Sequence, residues 1–362
     1  MNAPRIVIAT NNGELGGGEV MLLNIAGALR AIGLEVAVLG PETPGDLLRE
    51  ASSRGLRTIS LPARGRRSYM AALRLWRLRH PRELLWCNGL VPSLATAGIG
   101  PRLVHLHQLP VGLQRRAVEP ARLGARAVLV PSRAVAQQVR GARVLENWTE
   151  EISLLPASTS RVAGPLRVGY LGRLTRGKGV DVLAAALQRV VDRHEGGARL
   201  VLAGENRFGS REDDAQIARA LEGLGPDVEH AGWVERTELF RRIDVLAVPS
   251  VSPESFGLVA AEAMAAGVPV VVSDAGALPE VVGPGHPWIV PRGEVEALAD
   301  ALLAVASSPS ERRESATRWA RARWEQEFSP RAGTRRLAEL LMTFGATRIA
   351  PTHPTTLRSA VA

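Results

Sequence analysis

Nine short runs of Val, Leu, Ile and Ala recur along the chain, at 5–9, 35–39, 84–87, 103–106, 126–130, 167–171, 199–203, 244–248 and 269–272. None alternates strictly with polar residues, so each reads as a strand buried on both faces. Segments of helical period lie between them, at 19–31, 132–140, 179–193, 212–223, 257–266 and 294–307. The first stops just short of Gly33, a residue suited to the left-handed turn that ends a helix. Buried strands separated by helices imply parallel sheets covered on both sides, so the class is α/β throughout.

A chain of 362 residues is long enough for two domains of ordinary size. The stretch Leu154 to Ser160 has linker composition and a new strand starts at Arg167, which puts the division around 153–166. The expected layout is a doubly wound domain over 1–160 and a second over 161–328. A helix over 329–345 is expected to pack back toward the first domain, ahead of a loose tail over 346–362. Residues 309–345 read as two helices dense in Arg and Glu.

In doubly wound sheets ligands sit beyond the carboxyl ends of the strands, and the unusual residues of this chain fall there. In the first half, strand 5–9 runs into Asn11, Asn12 and the glycines Gly16, Gly17 and Gly18. Strand 84–87 runs into Asn88 and Gly89, and strand 103–106 into His107 and Gln108. In the second half, strand 167–171 runs into Gly172, Arg173 and Gly177-Lys178-Gly179, and strand 199–203 into Gly204 and Glu205. Strand 244–248 runs into Pro249, Ser250 and Glu254. If the two domains face each other, both sets line one deep interdomain cleft.

The Gly16–Gly18 loop opens a helix at Glu19, which suits close approach to an anion, although a tight strand-to-helix turn needs the same glycines. Arg173 and Lys178 are more telling. Of 45 basic residues, Lys178 is the one lysine, so a compact ammonium is placed where a fork is elsewhere the rule. Two cations five residues apart on a Gly-flanked loop suit a diphosphate whose charge grows as it leaves. Glu254 lies in a loop and Glu262 in the helix after it, too far apart to share a proton and placed to hold two ends of an extended ligand. Backbone N–H groups at Phe256, Gly257 and Leu258 open that helix toward phosphate or sugar. Glu262, in an Ala-rich stretch, is costly to bury unless hydroxyls satisfy it.

The run from Glu254 to Glu262 has the E-x7-E spacing of the family 4 retaining glycosyltransferases of GT-B fold. The resemblance extends over nearly the whole chain. It includes Gly16-Gly17-Gly18-Glu19-Val20, Pro131-Ser132, Gly172-Arg173, Gly177-Lys178-Gly179, Gly204-Glu205, Gly232-Trp233-Val234 and Ala277-Leu278-Pro279-Glu280. It implies two Rossmann-like domains and transfer of a hexose-type sugar from a nucleotide-sugar donor, UDP or GDP, to an acceptor hydroxyl. Arg173 and Lys178 would hold the donor diphosphate, Glu254 would lie at the donor sugar, and Glu262 would bind the ribose. The turn at Gly232, Trp233 and Val234 would pack against the base. Gly16, Gly17, Gly204, Glu205, Ser255, Phe256, Gly257 and Leu258 would complete the donor site. His107 resembles the first-domain histidine that faces sugar and acceptor, with Asn88 and Gln108 beside it. No cofactor and no metal is implied, and no Asp-x-Asp is present. The family's chemistry is a front-face attack in which the departing phosphate takes the acceptor proton.

Two motifs depart from the family pattern. Asn147-Trp148-Thr149-Glu150 stands where Asn-Gly, an aliphatic residue and Asp are usual, and His107-Gln108 stands where His-Asp is usual. His105 is read as pointing to the opposite strand face from His107, as a buried structural histidine. A nucleotide-sugar epimerase or a phosphorylase on the same fold is the alternative chemistry.

The net charge of +9 raises nucleic acid, anionic lipid or an anionic small substrate as partners, but near-uniform arginine reads as coding bias. The segment Arg64 to Arg82 is the one basic stretch interleaved with aromatics. A helix over 69–79 would set Leu73, Trp76 and Leu75 near one face beside arginines, closer to a membrane-surface helix than to a nucleic-acid groove. Peripheral contact there would imply a lipid-linked acceptor, alongside a secondary metabolite or a polysaccharide precursor. The lone Cys87 leaves no internal disulfide. The start lacks a signal-peptide pattern, and no window of about 18 apolar residues exists. Together these suggest a cytoplasmic protein, with or without attachment at the inner membrane surface.

Overall fold

The computed structural model describes residues 5–108, 110, 112–155, 164–205, 211–232 and 234–344. Trp233, the linker residues 156–160 and the tail 346–362 lie outside them.

The first sheet is built from β1 (Arg5–Ala9), α1 (Gly17–Ala31), β2 (Glu35–Pro41), α2 (Asp46–Ser53), β3 (Arg57–Leu61), α3 (Arg66–Arg79), β4 (Leu84–Asn88), α4 (Leu90–Ala95), β5 (Arg102–His105), α5 (Leu113–Arg122) and β6 (Ala127–Val130). The short α6 (Arg133–Ala136) follows, and β7 (Arg143–Val144) closes the sheet. The order is β3-β2-β1-β4-β5-β6-β7, with every pair parallel.

The second sheet uses β8 (Leu166–Leu171), α7 (Val180–Arg193), β9 (Ala198–Ala203), α8 (Arg211–Glu222), β10 (Val228–Gly232), α9 (Arg236–Arg242), β11 (Val245–Val248), α10 (Leu258–Ala266), β12 (Val270–Ser273), α11 (Leu278–Val282) and β13 (Ile289–Val290). The helices α12 (Val295–Ser307), α13 (Ser310–Glu327) and α14 (Pro330–Met342) follow it. Its order, β10-β9-β8-β11-β12-β13, repeats the winding of the first, again all parallel. In each sheet the winding reverses between the first and fourth strands, β1/β4 and β8/β11, and a crevice opens at such a point.

Each face of the second sheet buries its own apolar layer. Val168, Leu200, Leu202 and Val245 pack on α7 and α12 through Leu183, Leu187, Leu298 and Leu302. Val201, Leu246, Val270 and Val272 pack on α10, α11 and α13 through Met264, Leu278 and Trp324. A sheet covered on both faces needs the continuous apolar strands seen in the sequence.

The chain divides into two compact units. One takes in the described residues of Met1–Val130, Gly141–Leu145 and Pro330–Ala362, and the other those of Pro131–Arg140 and Glu146–Ser329. The second unit thus takes up residues ahead of the division expected at 153–166. Hydrogen bonds account for this. The backbone N–H groups of Arg133 and Ala134 donate to the Glu280 carboxylate at 2.9 and 2.6 Å, and Ser132 Oγ accepts from Val135 at 3.3 Å. Thr149 N–H donates to Phe328 O at 3.1 Å, and Trp324 Nε1 donates to Thr149 Oγ1 at 2.8 Å. Trp148, the bulky departure from the family turn, is buried. In the first unit α14 packs against α1.

The segment 132–140 is helical only over Arg133–Ala136. On α3, Leu73 and Tyr69 face the core and Trp76 is half-buried against it, so the apolar face expected at Leu73 and Trp76 points inward. Arg77 is fully buried, its guanidinium donating to the carbonyls of Ile99, His80, Glu83, Pro81 and Pro101. What α3 presents outward is Leu75 and Leu78, 48% and 56% exposed, with Arg67 and Arg74 on the same side.

Candidate active site

In the second unit, the loops after β8 and β11 meet at the reversal point of the sheet. Gly179, at φ +73°, turns the first loop into α7, and a Cβ there would lie 1.9 Å from Pro249 O, so only glycine permits the approach. The N–H groups of Val251 and Ser252 donate to Gly177 O at 3.0 and 2.9 Å, stitching the loops together. The loop after β9 joins them. Gly204, at φ +128°, has room only for a hydrogen because a Cβ would sit 1.9 Å from Gly172 O. Gly204 N–H donates to Gly232 O at 2.9 Å, drawing in the end of β10.

This stitching sets Lys178 Nζ 2.5 Å from Glu254 Oε1. The same oxygen accepts from Ser250 Oγ, and Ser250 is buried with its carbonyl held by Ser273 Oγ at 2.6 Å. Glu254 is fixed from behind as well, because its carbonyl accepts from Ala277 N–H at 2.9 Å. Ser255, Phe256 and Gly257 form the turn into α10, whose first turn leaves N–H groups without helical partners. The Phe256 ring packs edge-on against Phe328 at 5.4 Å, so only its backbone faces the turn. Arg173 projects into solvent, with its carbonyl pinned by Tyr170 Oη at 2.6 Å. Glu205 is exposed beside Gly204, and Val234 packs on the edge of the core.

Glu262 lies on the second turn of α10 and is almost wholly buried, not exposed along the helix. Burial pushes its carboxyl up to about 7. Arg236 opposes the rise and Glu150 adds to it. Arg236 Nη1 stands 3.2 Å from Glu262 Oε1.

The first unit has its own cluster at the β1/β4 reversal. Gly16 ends the loop and its carbonyl accepts from Glu19 and Val20, while Gly17 and Gly18 begin α1. Glu19 is buried in that first turn, accepts from Thr10 Oγ1 at 3.3 Å, and has its carboxyl raised by burial. Asn88 Nδ2 donates to Gly18 O at 3.3 Å, which turns its carbonyl toward His107 Nε2, 2.5 Å away. His107 therefore carries its proton on Nε2, and burial lowers its pKa to about 4, so the ring is neutral at physiological pH. The Asn88 amide does the orienting that a carboxylate would do, and Gln108 next to His107 is exposed.

His105 is buried, as expected, but the face assigned to it is wrong. Its ring lies 4.0 Å from that of His107 and edge-on to Trp86 at 5.7 Å. Residues two apart in extended backbone share a face, and Leu106 N–H still donates to Leu129 O at 2.9 Å, so the chain keeps the strand's direction past the end of β5.

The structure thus brings Lys178 and Glu254 together ahead of the Ser255–Leu258 turn and ties the Gly172, Gly204 and Gly232 turns to one another in the second unit, where Glu262 meets Arg236 instead. In the first unit it brings Gly18, Asn88 and His107 together beside Gly16 and Gly17. Sequence reasoning left Ser250 without a role and missed Arg236. A serine four residues before the loop glutamate was a usable signal, whereas Arg236 is one arginine in an arginine-rich chain. Among the described residues no group of three or more His, Cys, Asp or Glu side chains is placed to hold a metal.

Known proteins bear on both units. A Glycosyltransferase Family 4 model matches residues 15–152, and a Glycosyl transferases group 1 model matches 165–308. The phosphatidyl-myo-inositol mannosyltransferase of Mycobacterium leprae is 30% identical over 324 residues, 80% of this chain and 83% of that protein. The D-inositol 3-phosphate glycosyltransferase of Corynebacterium jeikeium is 36% identical over 146 residues, 37% of this chain and 34% of that protein. Among solved structures, Anabaena HepE in complex with UDP and glucose superposes with a TM-score of 0.79 at 22% identity, covering 93% of this chain and 99% of that one. The sucrose-phosphate synthase of Thermosynechococcus elongatus gives 0.78 at 22% identity, over 95% and 99%. The two Rossmann-like sheets are those of the GT-B glycosyltransferases. With a relative 30% identical across four fifths of its length and a family model over each half, the chain belongs to glycosyltransferase family 4, enzymes that transfer a sugar from a nucleotide sugar.

Proposed function

We propose that the chain is a retaining hexosyltransferase that uses a UDP- or GDP-sugar, with its donor site at the β8/β11 reversal of the second unit. The observation that carries this reading is the Lys178–Glu254 pair at 2.5 Å, backed by Ser250 and held by loops that close only with glycine at 179 and 204. Lys178 and Arg173 bind the diphosphate, whose negative charge competes with Glu254 for the ammonium. Glu254, released from it, accepts from hydroxyls of the donor sugar, and Glu262 takes the ribose.

The acceptor oxygen attacks the anomeric carbon from the face the phosphate leaves. The bond from that carbon to the β-phosphate oxygen breaks as the new glycosidic bond forms, and the acceptor proton passes to the departing phosphate. Lys178 and Arg173 stabilise the charge that develops on it, and no metal takes part. His107 fits this scheme as a neutral group on the acceptor side with Asn88 and Gln108. A pKa of about 4 makes it a poor base at neutral pH, which leaves the proton to the phosphate. Proton NMR of the first product from α-linked UDP- and GDP-hexoses tests the stereochemistry. An α-linked product is expected, and a β-linked one contradicts the mechanism.

A second reading concerns the acceptor. α3 presents Leu75 and Leu78 to solvent among exposed Arg64, Arg66, Arg67, Arg74, Arg79 and Arg82. The first unit carries the whole excess of positive charge, for the second holds more Asp and Glu than Lys and Arg. The relative from M. leprae is named for phosphatidyl-myo-inositol. These features favour a lipid-linked acceptor reached from an anionic membrane surface.

A further inference from the structure

Glu262 is an uncomfortable residue. Its neighbours on α10, Ala260, Ala261 and Ala263, offer its carboxylate no side-chain donor, and the group is 4% exposed. Every element packed on α10 bears on what stabilises it. α13 brings Arg321, which is occupied by Glu325 and by the carbonyls of Ile152 and Ala265. α11 brings Glu280, which is bound to the Arg133 and Ala134 N–H groups. The core strands β11 and β12 bring no charge. The segment before the second sheet brings Glu150, a like charge that opposes ionisation. α9 brings Arg236, its first residue, with Nη1 3.2 Å from Glu262 Oε1 and the side chain 36% exposed at the rim.

A guanidinium does not deprotonate, so Arg236 is a fixed charge beside a carboxyl that burial would otherwise neutralise. We propose that Arg236 is a positioning residue of the donor site, holding the Glu262 carboxylate aimed and ionised so that both oxygens accept from the vicinal hydroxyls of a nucleoside diphosphate's ribose. This rests on the assignment of Glu262 to the ribose. A protonated carboxyl has one oxygen turned donor and cannot accept from two neighbouring hydroxyls in the same way. The carboxyl already sits near 7 with Arg236 in place. Without that charge, burial and Glu150 act unopposed and the carboxyl stays protonated through neutral pH. Arg236 therefore acts through Glu262, and its loss is repaired by raising the pH.

The test has two readouts. Calorimetric titration of UDP and GDP is run between about pH 6 and 9 on the wild type, Arg236→Ala, Arg236→Gln, Arg236→Lys and Glu262→Gln. Carbon-13 NMR follows the Glu262 carboxyl in the ligand-free proteins, assigned by its absence in Glu262→Gln. In Arg236→Ala and Arg236→Gln, nucleotide affinity falls by about tenfold at neutral pH and recovers toward the wild-type value at the alkaline end. Arg236→Lys keeps a profile close to wild type, and Glu262→Gln binds weakly at every pH. The carboxyl midpoint moves to higher pH in Arg236→Ala and Arg236→Gln. An affinity loss of the same size at all pH values, or an unmoved midpoint, overturns the proposal. Failure of the wild type to bind either nucleotide instead defeats the donor assignment, and the carboxyl titration then decides by itself whether Arg236 holds Glu262 ionised.

Discussion

At the scale of the residue, Glu262 shows folding and binding pulling against each other. Its carboxyl titrates near the ordinary 4.5 when unfolded and at about 7 when folded. The folded state thus binds the proton more tightly, and stability is lost as pH rises from the first value to the second. Above both, the buried carboxylate costs about 3 kcal/mol relative to low pH. Glu262→Gln is therefore expected to raise unfolding free energy by up to about 3 kcal/mol above pH 7 and to change little below about pH 4.5, as urea unfolding across pH would measure. An equal effect at all pH values contradicts this account of the residue. Lys178, Glu254 and Glu262 were legible from spacing and from the rarity of lysine, because their chemistry stands out from its surroundings. Arg236 and the orienting role of Asn88 were not, because each depends on a partner more than fifteen residues away that only packing supplies.

At the scale of the element, the nine apolar runs read from the sequence are, among the described residues, the interior strands of the two sheets. The four that escaped, β3, β7, β10 and β13, are the four edges. An interior strand is covered on both faces and flanked by neighbours, so it must be apolar throughout. An edge strand such as Val228–Gly232, largely open to solvent, mixes in Glu229 and His230 and loses the signal. The helix α3 carries a prediction of its own. If its outer face meets anionic membrane, the protein cosediments with vesicles containing phosphatidylglycerol and not with neutral ones. Replacing Leu75 and Leu78 together by Glu should abolish the binding without unfolding the chain, since both side chains are exposed. Vesicle binding that survives the double substitution, or no binding by the wild type, removes this face from the acceptor's route.

At the scale of the whole molecule, the same winding occurs twice, and each copy gathers its unusual residues where the strand order reverses. The repetition was visible as two successions of apolar runs. The place of division was less so, because residues 131–140 and 147–149 belong to the second unit through hydrogen bonds to Glu280, Trp324 and Phe328, which are remote in sequence. In the proposed function the second unit holds a nucleoside diphosphate through Lys178. The most direct measurement is thermal unfolding of the wild type and Lys178→Ala against UDP, GDP, ADP and dTDP, each with and without Mg²⁺. A ligand that binds only the folded state, present at about 100 times its dissociation constant, adds roughly 2.7 kcal/mol of stability. A shift of that order is expected with UDP or GDP in the wild type, unchanged by Mg²⁺ and absent from a folded Lys178→Ala. An equal shift in the variant, or none with any of the four in the wild type, would contradict it.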